Sequence, residues 1–314
     1  MCVQRDKKQN GVSRFLTGEK VPRQYGGSRR ACALTKGCTM SGNSIADVPL
    51  YTNLDRVARG LAALGIGPKD PIPAETLFAL DQWHYHSVDA IHDAIRPLGL
   101  GPHSRVLDVG SGIGGPARYL AHTVGCHVTA LELQPDLNTI AVDLTRRTGL
   151  ADRVTHICGD ALIVPLPDTA FDAVTSWLAV LHVADRPRLC ARLSRTLRSG
   201  GRCYVEDLCM RTPFSAEDRR DLRDSVFGIS VTSIEDYAQD MRAAGFVDIA
   251  VTDRTSDWSP YAVDRLERWR TNHEAYAKVH GEDAYAAQEK FYSVIARLYQ
   301  SGSLGGVRLI ACVP

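Results

Sequence analysis

The sequence predicts a doubly wound α/β fold, a seven-stranded sheet with a helical cap before it and a helical insertion ahead of its last strand. Two observations carry this. From residue 105 onward, short apolar runs alternate with amphipathic stretches of helical period, as in a sheet with crossover helices. A glycine-rich turn also joins the first of these strands to the helix that follows it, at Gly110, Gly112 and Gly115.

In chain order, residues 1–41 carry nine Lys/Arg against only Asp6 and Glu19, with almost no apolar periodicity. Such a stretch cannot build a core and is expected to be a disordered basic tail. An organelle transit peptide, or a start at Met40, are the alternatives. Residues 42–98 read as the helical cap. Leu54, Val57, Ala58 and Leu61 share one helix face, ended by Gly65 and Pro68, and a second helix runs through Val88, Ile91 and Ile95 and stops before Pro97. The sheet domain then spans 99–314, with strands expected at 105–109, 127–132, 153–158, 171–177, 202–207, 247–253 and 307–313. Pro135 opens a clear amphipathic helix that Gly149 ends. Asp185 and Ser233 read as N-caps, and Gly200-Gly201 and Gly245 as helix stops. A helical insertion at about 258–302, rich in Tyr and Arg, separates the last two strands.

The composition narrows the function. A net charge of +1 over 314 residues favours neither nucleic acid nor an acidic membrane as partner, so a small molecule is expected. No apolar run approaches the roughly 18 residues of a membrane helix. The nine cysteines are scattered singly, without a CxxC pair, as free thiols in a reducing, cytoplasmic setting would be. No His/Cys spacing fits a metal site. A homodimer is compatible with the sequence.

The stretch Val106 to Ala121, VLDVGSGIGGPARYLA, satisfies G-x-G-x-x-G. Taken alone this is a weak signal, because glycines at a helix N-terminus suit a pyrophosphate and a carboxylate equally. Its surroundings weigh against a nicotinamide enzyme. Asp108 would repel a pyrophosphate, whereas the zwitterionic amino-acid end of S-adenosylmethionine would accept it. Glu132 closes the second strand about 20 residues on, where a carboxylate takes ribose hydroxyls. Asp160, in Cys158-Gly159-Asp160-Ala161, can accept from an adenine amine. A long helical segment also precedes the glycine strand, and the strands end in an insertion followed by a last strand.

The set VLDVGSGIGG, ALELQ, CGDA, FDAVTSWLAVLHV and LRSGGRCYVED resembles, in order and spacing, the class I S-adenosylmethionine-dependent methyltransferases. It is most similar to the small-molecule branch that includes sarcosine/dimethylglycine, phosphoethanolamine and γ-tocopherol methyltransferases, over about residues 80–313. The resemblance implies a Rossmann-like methyltransferase sheet and S-adenosyl-L-methionine as cofactor. It implies that Gly110, Ser111 and Gly112 line the methionine end, Glu132 and Leu133 hold the ribose, and Asp160 and Ala161 the adenine, with Gln134 also in the cofactor site. Ser176 and Trp177 would then border the transferred methyl. Ser199 departs from the family, which usually has Pro there; the effect is expected on the turn only.

Methyl transfer from a sulfonium is an in-line displacement, so alignment and water exclusion matter most, and a base is needed only when the acceptor arrives protonated. His84, His86 and His182 are the candidate bases. The first two sit in the run Asp81-Gln82-Trp83-His84-Tyr85-His86, where related enzymes place a lid; the third follows the fourth strand. A satisfied structural histidine is the plain alternative for each. Tyr85, Glu206, Asp207, Tyr237, Trp258 and Tyr261 are candidate substrate contacts, with core packing or solvent exposure as the alternative. The expected activity is N-methylation of an amine or amino-acid-like metabolite. The alternatives are C-methylation of a phenolic or prenylated ring and, from another class, a silent binding module.

Overall fold

The computed structural model describes residues 55–314. The basic tail, the start of the cap and Leu54 lie outside the described residues. The strands are β1 Arg105–Val109, β2 His127–Glu132, β3 Val154–Cys158, β4 Phe171–Trp177, β5 Leu197–Met210, β6 Val247–Asp253 and β7 Leu304–Cys312. They form one sheet in the order β3-β2-β1-β4-β5-β7-β6. Pairing from β3 to β5 is parallel, whereas β7 lies antiparallel between β5 and β6.

The helices are α1 Arg56–Ala63, α2 Ala74–Phe78, α3 Ser87–Leu98, α4 Gly115–Val124, α5 Pro135–Arg147, α6 Arg186–Thr196, α7 Ala216–Asp221, α8 Ile234–Ala243, α9 Thr255–Thr271, α10 His273–His280 and α11 Glu282–Gln300. Two apolar clusters hold α3, α4, α6 and α8 to the sheet. Leu107, Leu131 and Val174 meet Leu189 and Leu193 of α6 and Met241 of α8 on one side. Val106, Val128 and Ala173 meet Ile91 of α3 and Leu120 of α4 on the other. Burial of this kind stabilises by roughly 1.5–3 kcal/mol per large side chain. Asp185 and Ser233 are N-caps as expected, accepting from the Arg188 and Asp236 amides.

Four boundaries differ from the sequence reading. Helix α3 does not stop before Pro97 but carries it in its last turn and ends at Gly99, whose φ is +63°. A proline there removes one helix hydrogen bond only. Helix α6 ends at Thr196, and Gly200-Gly201 sit inside β5 where the register against β4 shifts. Strand β5 also continues to Met210, so Glu206 and Asp207 are interior to it. Strand β7 starts at Leu304. A Cβ on Gly305 would come 2.5 Å from Thr255 Oγ1, and one on Gly306 2.2 Å from Trp258, so glycines, usually poor in strands, let α9 pack onto β7. On α1, Val57 and Leu61 are buried but Ala58 is exposed.

Candidate active site

The strand order reverses between β1 and β4, and open α/β sheets place their ligands outside the strand ends at such a point. A cleft opens there, lined by the β1–α4 glycine turn, the end of β2, the turn after β3, the segment after β4 and the turn before α3. Gly110 has φ +70°, and a Cβ on it would lie 2.2 Å from the Ala179 Cβ. Its lack of a side chain therefore lets the wall formed by Leu178 and Ala179 close over the turn.

Of the predicted cofactor residues, Gly110, Ser111, Gly112, Glu132, Leu133, Gln134, Asp160, Ala161 and Trp177 line this cleft. The Gly112 amide donates to Glu132 Oε2 at 2.8 Å and the Gln134 amide to Oε1 at 2.8 Å. Burial raises the Glu132 pKa, and these amide bonds oppose the rise. The carboxylate is thus fixed with both oxygens oriented, the arrangement a vicinal diol needs. Asp160 Oδ1 accepts from the Leu162 amide at 2.8 Å. Ser111 Oγ and Trp177 Nε1 are buried with no hydrogen-bond partner among the described residues. Unpaired buried donors are costly, so two of them facing one cleft mark a place where a polar ligand completes the bonding.

Asp108 and Ser176 do not line the cleft. Asp108 is 1% exposed; its Oδ1 accepts from Thr175 at 3.1 Å and its Oδ2 has no recorded partner. Burial pushes its pKa up to about 7. Ser176 donates to the Val109 carbonyl and ties β4 to β1. Asp108 is the register partner of Thr175, so side-chain alternation sends Asp108 and Ser176 to opposite faces of the sheet, each beneath the strand ends.

The three histidines separate clearly. His182 lines the cleft, and its Nδ1 lies 2.9 Å from the Phe227 carbonyl, so Nδ1 carries the proton and Nε2 holds a lone pair. Burial lowers its pKa, which keeps it neutral. Phe227, at φ +56°, ends a π-helical turn, Leu222–Val226, that presents this carbonyl. His84 also lines the cleft and stacks on Trp177 at 5.9 Å. However, its Nδ1 contacts the Tyr85 carbonyl at 3.0 Å and its Nε2 the Gln82 Oε1 at 3.1 Å, and burial pulls its pKa down to about 4. His86 lies off the cleft lining, 3.2 Å from Asp257.

The predicted substrate residues are framework around the cleft rather than its lining. Tyr85 stacks on Trp258 at 4.5 Å and meets Tyr261 edge-on at 5.3 Å; Trp258 is fully buried. Glu206 accepts from Tyr204 at 3.0 Å and from Arg308 at 2.7 Å, and Arg308 also reaches Asp93. Asp207, pushed up to about 7 by burial, accepts from the Leu208 amide at 2.8 Å and the Tyr237 hydroxyl at 3.5 Å. Tyr237 packs beneath Arg186. Because β5 runs past 207, these acids face the packed helices of either side and not the strand end.

The sequence reading missed Asp81 as a cleft residue, and missed Leu178 and Ala179. Asp81 accepts from Arg118 at 2.8 Å and from the Gln82 amide group at 2.7 Å, continuing to His84. Arg118 is fully buried on α4 and also donates to the Ile113 carbonyl and to Thr145. This chain of bonds pins the turn before α3 across the glycine motif. Gly115 permits the approach, since a Cβ there would lie 2.4 Å from the Asp81 carbonyl oxygen. The only sequence signal was the run Asp81 to His86 itself, which does not name its partner 37 residues on.

Residues 107–205 match a family described as a methyltransferase domain. Among curated proteins, phosphoethanolamine N-methyltransferase 1 of Arabidopsis thaliana is 29% identical over 200 residues, 63% of this chain and 40% of its own length. Sarcosine/dimethylglycine N-methyltransferase of Halorhodospira halochloris is 35% identical over 161 residues, 50% of this chain and 56% of its own. Of solved structures, Haemonchus contortus phosphoethanolamine N-methyltransferase 2 in complex with S-adenosyl-L-methionine superimposes with a TM-score of 0.69 at 20% identity, over 85% of this chain and 60% of that one. The chain therefore matches a methyltransferase domain over residues 107–205 and shares the Rossmann-like fold of this solved structure, as its motifs implied. It spans less than two thirds of the length of these relatives.

Proposed function

We propose that the protein is an S-adenosylmethionine-dependent methyltransferase that N-methylates a small amine or amino-acid-like metabolite, with His182 as the base. The observation that carries the reading is one cleft holding both the oriented Glu132 carboxylate and the neutral His182. Bound there, S-adenosylmethionine supplies an electrophilic methyl group on a sulfonium. Glu132 would accept from the ribose hydroxyls, Asp160 from the adenine amine, and Ser111 would donate to the amino-acid end. His182 Nε2 would take the proton of an ammonium acceptor, freeing the nitrogen lone pair for attack. Trp177 and His84 would shield the methyl from water and fix the acceptor's approach, where alignment supplies much of the rate. The sequence relatives named N-methyltransferases support this reading, and the six described cysteines are free thiols, as in the cytoplasm.

The test is incubation with methyl-labelled S-adenosylmethionine and a panel of amines, amino acids, phosphoethanolamines, phenols and prenyl compounds, read by mass spectrometry. Label on an amine nitrogen is the expected result. Label only on ring or prenyl carbon moves the reading to C-methylation, and cofactor binding without transfer to any acceptor would make the protein a binding module.

A further inference from the structure

A second concave site lies at the opposite end of the strands from the cleft, a cavity of about 450 Å³ lined by His103, Arg105, His127, Thr129, Arg153 and Thr155. The sheet register explains its chemistry. Arg105 of β1 pairs with His127 of β2, and Val128 pairs with Val154, which sets Arg153 beside His127. Arg153 Nη1 lies 3.4 Å from His127 Nε2. Three basic side chains therefore stand in one row across neighbouring strands spaced about 4.8 Å apart. One row further on, Thr129 and Thr155 are register partners and offer hydroxyl donors on the same face.

Like charges side by side on a sheet are destabilising. Among the described residues no carboxylate lines the cavity. Asp172 is tied to Arg198 and to the Arg105 backbone amide, and the exposed Asp152 pairs with Arg153 at 3.8 Å. The Arg105 guanidinium forms no ion pair among the described residues and rests 6.0 Å from the Phe171 ring, whereas Arg118, Arg186, Arg297 and Arg308 each meet a carboxylate. Arg153 is held in place by its bond to the Gly125 carbonyl at 2.8 Å.

We propose that this groove is a binding site for a small phosphate-bearing anion carrying more than one negative charge, with a diphosphate as the fitting unit. Guanidinium groups present forked donors that match phosphate oxygens, and two of them flanking an imidazole can engage two phosphate groups. A nucleic acid would need a longer basic stripe than this row, and the net charge of +1 supplies no such field.

The experiment is calorimetric titration of inorganic pyrophosphate into the full chain at constant ionic strength, with Arg105→Gln, Arg153→Gln and Glu132→Ala alongside and thermal melts as the check on folding. Saturable binding with a Kd below about 1 mM is expected, weakened roughly tenfold or more in each arginine variant, as loss of a charged hydrogen bond gives. Glu132→Ala, at the other end of the strands, should leave it unchanged. The proposal is overturned by absence of saturable binding, by unchanged affinity in Arg105→Gln, or by loss in Glu132→Ala alone, which would place the anion in the cleft. If Arg153→Gln melts early, Arg105→Gln decides, since its side chain makes no hydrogen bond among the described residues. Binding of heparin without binding of pyrophosphate would mean an unspecific polyanion surface and would equally reject the site.

Discussion

A neutral imidazole with one nitrogen already committed is a ready proton acceptor, and His182 is held in that state by the Phe227 carbonyl and by burial. Replacing it by Gln keeps the size and a hydrogen bond but no base, so kcat should fall by roughly 10²-fold while cofactor affinity holds. The deficit should shrink as pH rises, because the acceptor then arrives deprotonated; a pH-rate profile with the same deficit throughout would assign His182 to positioning instead. His84→Gln should cost less, since both ring nitrogens of His84 are already in use. Asp108 makes a prediction about stability. Burial holds its pKa at about 7 in the folded protein, against 3.8 for an ordinary aspartate. Between those values the folded state holds a proton that the unfolded state has lost, so Asp108's contribution to stability is full below about 3.8 and is lost as pH rises through 7. Asp108→Asn should therefore gain on the wild type across that window, by about 4 kcal/mol at pH 8 relative to pH 4 in denaturant melts. An equal difference at both pH values would mean the carboxyl is not desolvated as described.

At the scale of elements, the joint that matters is α4 against the turn before α3, closed by Arg118 and Asp81 and made possible by Gly115. Gly115→Ala should push the turn off the glycine motif, costing about 1–3 kcal/mol of stability by overpacking and weakening cofactor binding at the same time. Paired melting and titration check this, and a loss of stability alone would separate the turn from the cleft. Asp81→Ala should cost more, about 3–5 kcal/mol, because Arg118 would be left charged and buried without its partner. These are also the contacts a linear reading could not find. The strand β1, the glycine turn and Glu132 were legible because local spacing alone determines them. Arg118 reads as a surface residue on an amphipathic helix until its burial is seen. The acids at 206 and 207 were misplaced for a related reason: the length of β5 is decided by its pairing with β7, about 100 residues later, and not by its own composition.

Across the whole molecule, the sheet order brings the ends of β1, β2, β3 and β4 to one cleft while β7 returns antiparallel to lock the insertion helices α9 and α11 against the far side. The aromatic residues expected at the substrate, Tyr85, Trp258 and Tyr261, are spent on that packing, which follows from Trp258 filling the space above Gly306. The seven-stranded sheet with its flanking helices was thus readable from alternation and punctuation, whereas the division of labour between cleft and core needed the tertiary contacts. Central to the proposed function is binding of S-adenosylmethionine in this cleft through the carboxylate of Glu132. The most direct measurement is calorimetric titration of S-adenosylmethionine and, separately, NADH into the wild type and Glu132→Ala. One equivalent of S-adenosylmethionine should bind the wild type, NADH should not, and Glu132→Ala should lose about 2–3 kcal/mol of affinity with two charged hydrogen bonds to the ribose; NADH binding, or equal S-adenosylmethionine affinity in both proteins, would contradict it.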